Sequence, residues 1–481
     1  MKAISREKLI EIAIGISAEK DTDILLENIL TEAMRYTDCD GGTLYICGED
    51  SLEFHTAITK SKNFYMSKRQ GNMTLPPVPY SNSHVCACCA MEKKKINIPD
   101  VYESTEYDFH GAQKYDSLNN YRTRSMLVLP MEDDKGKVIG VLQLLNAMDE
   151  KGEVVPFPKE CEQTIYALNS LAAVSLNNHK LQEQILALLH SFVEVMASAI
   201  DTRSPYNANH SRSMAKYAEK FIAWLNASDS DWKFEEKDID PFIMSVWLHD
   251  VGKLVIPLEV MDKPTRLGDL EEGLLHKIST GILMERLRGL EHPNEKPEAD
   301  ANIKALEDAK ELFLGVNSAG FLPDEKLEAI AEAGKLKVRT FEGEEIPLLN
   351  EEELTALSVR KGTLTDAERG IIQSHVVNTD KMLAKMIFDG DYANVPVWAA
   401  SHHEFLNGTG YPKKLTAEQL PKETRLLTIL DVYDALTAED RPYKPAMPTE
   451  KAFGILHSMA NDGQIDGDIL ALFEKSGAWK K

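Results

Sequence analysis

Apolar positions along the chain change their spacing from one region to the next. From Ile24 the apolar residues Ile24, Leu25, Ile29, Leu30 and Met34 recur at helical spacing, then give way to Gly41-Gly42-Thr43-Leu44-Tyr45-Ile46, which reads as a strand. Ser125 through Pro130 and Val138 through Asn146 are further β-rich runs, separated by the polar hairpin turn Glu132-Asp133-Asp134-Lys135-Gly136. Residues 20–178 therefore read as a mixed α/β unit, preceded by an amphipathic helix over 1–19. Leu171, Val174, Asn178, Leu181, Ile185, Leu188, Phe192, Val195 and Ala199 then follow alternating steps of three and four, a period of 3.5 that predicts a coiled-coil helix over 171–200. Asn178 is its one polar interruption, of the kind that sets register and oligomer state. The expected partner is a second copy of the chain; packing on its own domain is the other reading. From 201 to about 475 the pattern is helical, as in an all-α domain.

Composition narrows the class. With 481 residues the chain is long enough for two or three cores, and 43% hydrophobic against 27% charged residues excludes a disordered chain. No apolar run of about 18 residues is expected to span a bilayer, and the first residues lack the apolar stretch of a secretory leader, so a cytoplasmic chain with no membrane partner is expected. A net charge of −23 argues against nucleic acid polymers and anionic membranes, which are themselves polyanions.

All six cysteines lie in the first third of the chain. Cys86-Ala87-Cys88-Cys89 beside His84 invites a redox or metal reading, although the spacing matches neither usual C-x-x-C pair and buried structural thiols are favoured. The segment from Glu291 to Glu353, rich in Glu, Lys, Ala and Gly, reads as part of an insertion over about 266–360.

The chemistry concentrates in two compact motifs. Ser401-His402-His403-Glu404-Phe405-Leu406-Asn407-Gly408-Thr409-Gly410-Tyr411-Pro412 sets adjacent imidazoles beside a glycine-rich turn whose backbone can approach a phosphate. Leu248-His249-Asp250-Val251-Gly252-Lys253 adds a histidine, a carboxylate and a lysine. His210, His375 and Asp431 complete five histidines and two aspartates spread over separate helical segments, a costly way to satisfy a core and an economical way to hold metal. A mixed nitrogen and oxygen set suits iron or manganese and, less distinctively, zinc, nickel or cobalt. Two such ions can polarise a phosphoryl oxygen, so these residues point to a metal-dependent phosphohydrolase.

Residues 20–178 resemble a GAF domain through the strand pair and turn quoted above, Asn97-Ile98-Pro99-Asp100-Val101-Tyr102 and Tyr121-Arg122-Thr123-Arg124-Ser125. The resemblance implies a sensor for an unidentified small-molecule or redox signal; a ligand-free dimerisation module is the alternative. Residues 201–475 resemble an HD-GYP phosphodiesterase. That resemblance implies hydrolysis of a cyclic dinucleotide, cyclic di-GMP foremost, by two divalent ions. It implies that His210, His249, Asp250 and Asp431 hold one ion, with Asp250 bridging to a second held by His375, His402 and His403. Lys253 would stabilise phosphate charge, Gly408, Gly410, Tyr411 and Pro412 would shape the nucleotide pocket, and Arg441 and Lys444 would contact phosphate. A non-catalytic cyclic-dinucleotide receptor and a phosphohydrolase of other nucleotides, cyclic GMP-AMP included, are the alternatives.

Three departures matter. His276 lies 27 residues after His249, at the family's usual interval, but the approach Leu364-Thr365-Asp366-Ala367-Glu368 leads to His375, which precedes His402 by 27; His375 is favoured. Three-metal relatives carry a glutamate four residues before the first histidine, where this chain has Tyr206, so two ions are expected. The turn from Asp431 to Arg441 is one residue longer than usual.

Overall fold

The computed structural model describes residues 14–15, 19, 21–203, 209–340, 342–438 and 446–480, so nearly all of the helix expected over 1–19 lies outside the described residues. The chain divides into two compact units, Met1–Leu188 and Leu189–Lys481.

In the first unit, α1 (Thr22–Thr37) is capped by Asp21, whose carboxylate accepts from the N–H groups of Asp23 and Ile24. Strands β1 (Cys39–Cys47), β2 (Ser51–Thr59), β3 (Phe64–Ser67) and β4 (Val78–Pro79) precede α2 (Val85–Glu92), β5 (Ile96–Ile98) and α3 (His110–Asn119). Then come β6 (Met126–Glu132), β7 (Val138–Met148) and β8 (Val154–Val155). The turn between β6 and β7 closes because the Asp133 carboxylate accepts from the N–H groups of Lys135 at 2.9 Å and Lys137 at 2.8 Å. An antiparallel sheet results, in the order β3-β2-β1-β7-β6-β5, with β4 beside β2 and β8 beside β7. Alternation along the strands divides two cores. Leu127, Leu129, Leu142 and Leu144 pack on Leu25, Ile29 and Leu30 of α1, while Val128, Val141 and Tyr45 face α2 and its cysteines.

A helix of 45 residues, α4 (Lys159–Arg203), contributes to both units. Ile165, Leu168, Ala172, Ala173 and Leu176 join the first core, and Val193 and Ile200 join a cluster in the second unit. The 3.5-period seam lies on another face: Leu171, Val174, Leu181, Ile185, Leu188, Phe192 and Val195 are 44–70% exposed. The expectation of no bilayer-length apolar stretch needs correction here. Among the described residues, α4 is long and apolar enough to cross a membrane by length and composition, with mean hydropathy 1.5 over 18 residues. Polar positions scattered along the helix between the seam residues conceal that stretch when it is read residue by residue.

The second unit packs α5 (His210–Ala227) and α6 (Glu236–Leu248) against the later helices α11 (Asp366–Leu383), α12 (Val395–Ala399), α13 (Lys422–Thr437), α14 (Thr449–Asn461) and α15 (Gly467–Ser476). Phe221, Phe242, Tyr433, Phe453 and Phe473 fill its core. Between the two groups stands a lobe with its own core, Leu274, Ile278, Leu306, Phe313, Ile330 and Leu357 among its residues. It comprises α7 (Leu270–Glu291), α8 (Lys296–Asn317), α9 (Asp324–Gly334), β9 (Lys337–Arg339), β10 (Glu345–Pro347) and α10 (Glu351–Leu357). The β9–β10 hairpin departs from an all-helical expectation: three paired residues are too few to register as a period. Arg266, fully buried, stitches the lobe shut by donating to the carbonyls of Val316 and Val359, both at 2.7 Å.

Candidate metal centre

Three of the five imidazoles of the constellation are aimed by the backbone and a fourth by a carboxylate. His210 opens α5, His249 and Asp250 follow α6, His375 rides on α11, His402 and His403 follow α12, and Asp431 sits on α13. The Nδ1 atoms of His249, His375 and His402 meet the carbonyls of Val246 (2.7 Å), Ile372 (2.6 Å) and Ala399 (2.6 Å), three residues earlier in each case. A carbonyl only accepts, so each Nδ1 carries the proton and each Nε2 presents a lone pair. His210 does the same with a carboxylate, its Nδ1 lying 2.6 Å from Asp434 Oδ2.

Those Nε2 atoms converge on Asp250. Its Oδ2 lies 3.2 Å from His249 Nε2 and 3.8 Å from His210 Nε2. Its Oδ1 lies 3.4 Å from His375 Nε2 and 3.9 Å from His402 Nε2. Asp431 Oδ1 stands 3.3 Å from His210 Nε2, and its Oδ2 stands 3.8 Å from His403 Nδ1. The sets His210–His249–Asp431, His249–Asp250–His402 and His375–His402–His403 each bring donor atoms close enough to share one ion. Asp250 Oδ1 is buried without a hydrogen-bond donor. A buried acceptor so placed is costly unless a cation satisfies it, so the donor set fits divalent metal.

The electrostatics agree. Burial holds His375 and His402 below the ordinary histidine range and His403 down at about 4, which keeps these imidazoles neutral and able to accept a cation. Burial opposes ionisation of Asp250, but Lys253 and His249 outweigh it and hold the carboxyl well below its usual range. Burial likewise pulls His210 down, while Asp431 and Asp434 raise it to about 10. A proton and a cation compete for that site. Lys253 Nζ donates to Asp250 Oδ2 at 2.6 Å. It sits not on α6 but on the 3-10 turn Val251–Val255, where residues three apart eclipse.

The glycine-rich loop folds back on His403. Tyr411 N–H donates to the His403 carbonyl at 3.1 Å, and the Tyr411 ring lies over the His403 ring at 4.8 Å. A Cβ on Gly410 would fall 2.4 Å from Phe405 N and 2.5 Å from His403 O, so only glycine admits this return. Gly408 turns with φ +74°, and Pro412 follows Tyr411 through a cis bond. Glu404, buried, accepts from the N–H groups of Lys413 and Leu415 and braces the loop. His276 is exposed on α7 beside Glu272, whereas His375 stands among the other imidazoles. Tyr206, Arg441 and Lys444 lie outside the described residues.

Residues 351–469 match the family model described as HD domain, and residues 21–176 the one described as GAF domain. The chain joins a GAF domain to an HD domain. Over 121 residues it is 35% identical to the 3'3'-cGAMP-specific phosphodiesterase 3 of Vibrio cholerae, covering 25% of each chain. Over 120 residues it is 35% identical to the cyclic di-GMP phosphodiesterase PA4108 of Pseudomonas aeruginosa, covering 24% of this chain and 27% of that one. The chain thus spans about a quarter of the length of these relatives. A GAF domain/HD domain protein from Geobacter sulfurreducens is similar at TM-score 0.27 and 15% identity, over 35% of this chain and 98% of that one.

The HD-domain match begins at 351, so His210, His249 and Asp250 reach the rest of the constellation only through the fold. Three supporting residues carry no ligand motif of their own. Asp434, three residues after Asp431 on α13, orients His210, and that spacing was a usable signal. Thr379 Oγ1 donates to the His249 carbonyl at 3.0 Å and accepts from Gly252 N–H at 3.0 Å. Thr428 Oγ1 donates to the His402 carbonyl at 2.8 Å. Nothing in the local sequence marks either threonine.

The GAF domain encloses a cavity of about 430 Å³ lined by Tyr45, Phe54, Phe64, His84, Cys86 and Gln143 among others. Tyr45 Oη donates to Gln143 Oε1 at 3.0 Å on its wall. Burial raises the thiols of Cys86, to about 11, and of Cys88 and Cys89, which works against a redox role.

Proposed function

We propose that the HD domain is a two-metal phosphodiesterase that opens a cyclic dinucleotide, cyclic di-GMP foremost, to the linear dinucleotide and onward to GMP, under control of the GAF domain. The observation that carries this reading is the division of Asp250: one carboxylate oxygen faces His210 and His249, the other faces His375 and His402, and the second has no donor of its own. His210, His249 and Asp431 would hold one ion and His375, His402 and His403 the other, with iron or manganese suited to this nitrogen and oxygen set. When bound, the ions supply Lewis acidity toward a phosphoryl oxygen and lower the pKa of water.

The chain's own groups do the rest. Lys253, a fifth exposed beside Asp250, is available to a non-bridging phosphate oxygen as charge develops. Tyr411 offers a ring face against His403 on which a base can stack, and Gly408, Gly410 and Pro412 keep that loop close. Arg441 and Lys444 keep the phosphate-contacting role that the HD-GYP resemblance assigns them. The named relatives act on cyclic di-GMP and 3'3'-cGAMP, which supports the substrate class. A non-catalytic receptor would be expected to lack a ligand, and all seven are present.

We further propose a homodimer through the exposed α4 seam, working in the cytoplasm, and a small-molecule ligand for the GAF cavity. Its lining includes no Lys or Arg, which argues against an anionic ligand. The deciding experiment is turnover of cyclic di-GMP and cyclic GMP-AMP by anaerobically purified protein, with metal measured on the same sample. Two ions per chain and a linear product are expected; metal-loaded protein that leaves both substrates intact overturns the proposal.

A further inference from the structure

The last residue of α4 reaches the turn that carries Lys253. Arg203 Nη1 donates to the carbonyl of Lys253 at 2.9 Å and to that of Leu254, and Nη2 donates to the carbonyl of Ile256 at 2.9 Å. The Lys253 carbonyl also accepts from Ile256 N–H at 3.1 Å; carbonyls near the end of a short helical turn are mostly left without a partner inside it, and a guanidinium fork can serve several at once where an ammonium cannot. Among the described residues no carboxylate pairs with Arg203, so its charge is spent on this backbone. On the far side of the same turn, Lys253 Nζ is tied to Asp250 Oδ2.

The rest of the helix end grips the same neighbourhood. Val193 and Ile200 pack with Leu248 and Val251, which flank the His249–Asp250 pair, and with Ala399, three residues before His402. Asp201 Oδ1 accepts from Ser211 Oγ at 3.2 Å, next to His210, and His190 Nε2 pairs with Asp240 Oδ2 at 2.9 Å on α6. The end of α4 therefore touches elements that carry His210, His249, Asp250, Lys253 and His402. A shift of this helix along or about its axis would displace Arg203 first, because its hydrogen bonds run to the turn rather than to a side chain free to follow.

We propose that Arg203 is a positioning residue: it sets the Val251–Ile256 turn, and with it the Lys253 ammonium, and it is the point at which α4 acts on the HD-domain site. The kinetic part rests on the phosphodiesterase reading; the structural part does not.

The test compares full-length wild type, Arg203→Gln and Arg203→Lys by hydrogen–deuterium exchange, metal content and steady-state kinetics. In Arg203→Gln, amides of 251–256 are expected to exchange faster, above all Ile256 N–H, which donates to the Lys253 carbonyl that Arg203 holds. Its kcat for cyclic di-GMP should fall about 10- to 100-fold, with KM and two-metal content unchanged. Arg203→Lys should recover part of both losses. Unchanged exchange over 251–256 in Arg203→Gln overturns the proposal, as does faster exchange with unchanged kcat. If Arg203→Gln fails to fold, Arg203→Lys decides by the same two readouts, one donor head serving fewer carbonyls. Wild type that hydrolyses no cyclic dinucleotide removes the phosphodiesterase reading alone, and the exchange comparison still judges Arg203.

Discussion

A Cβ on Gly252 would lie 2.0 Å from the carbonyl oxygen of His375, so the turn after Asp250 rests directly on the backbone of α11. That contact brings a histidine from beyond the lobe to the HD motif. Gly252→Ala is expected to force the turn and α11 apart, at a cost of about 3 kcal/mol or more in stability. The metal content of the variant should drop below that of wild type. Thermal melting with metal analysis checks both, and a variant that keeps wild-type metal and midpoint would show the two backbones to be free to separate.

Asp434 aims the candidate metal ligand His210. Replacing it with Ala removes the acceptor at 2.6 Å that aims the ring, and metal affinity should weaken about 10- to 100-fold while the fold persists. Competition against a graded chelator series measures this, with circular dichroism as the control for folding.

The thiols of the GAF domain should be inert. Burial raises Cys39 and Cys86 to about 11, so about one part in a thousand is thiolate at pH 8. As pH rises toward 11, labelling should accelerate, because the reactive form is the deprotonated one. Mass spectrometry after iodoacetamide treatment of native protein at pH 8 should find these two cysteines unmodified and, after denaturation, labelled. Rapid native labelling at pH 8 would revive a redox role.

The α4 seam predicts a charge-sensitive dimer. Ile185 and Phe192 are 64% and 53% exposed in one chain, and Ile185→Glu or Phe192→Glu should weaken self-association by about 3 kcal/mol, on the order of a hundredfold. Analytical ultracentrifugation across concentration reads the shift. Monomeric wild type would contradict the seam's assigned partner, and vesicle co-sedimentation of wild type would point to a bilayer instead.

Much of this is legible in the order of residues alone. The α1 helix, the β6–β7 hairpin and the long helix announce themselves because each has a period or a turn chemistry confined to neighbouring residues. The ligand candidates could be named because histidines and acids in compact motifs are rare as core residues. Other features were not legible, each for a physical reason. Thr379 and Thr428 hold the carbonyls of His249 and His402 from 130 and 26 residues away, and no local pattern encodes such a contact. Arg203 reads as an ordinary helix-terminal cation until its carbonyl partners, about 50 residues on, are seen.

The order and spacing of residues determined the two-domain plan, the seam and the pool of candidate metal ligands, because those depend on periodicity and on side-chain chemistry alone. Only the tertiary structure decided which histidine joins His402 and which does not. His276 and His375 stand at equal intervals from their respective partners in sequence, but the lobe at 267–357 packs around its own core and carries His276 away on an exposed face. Gly252, lacking a side chain, leaves room for the backbone of His375 instead.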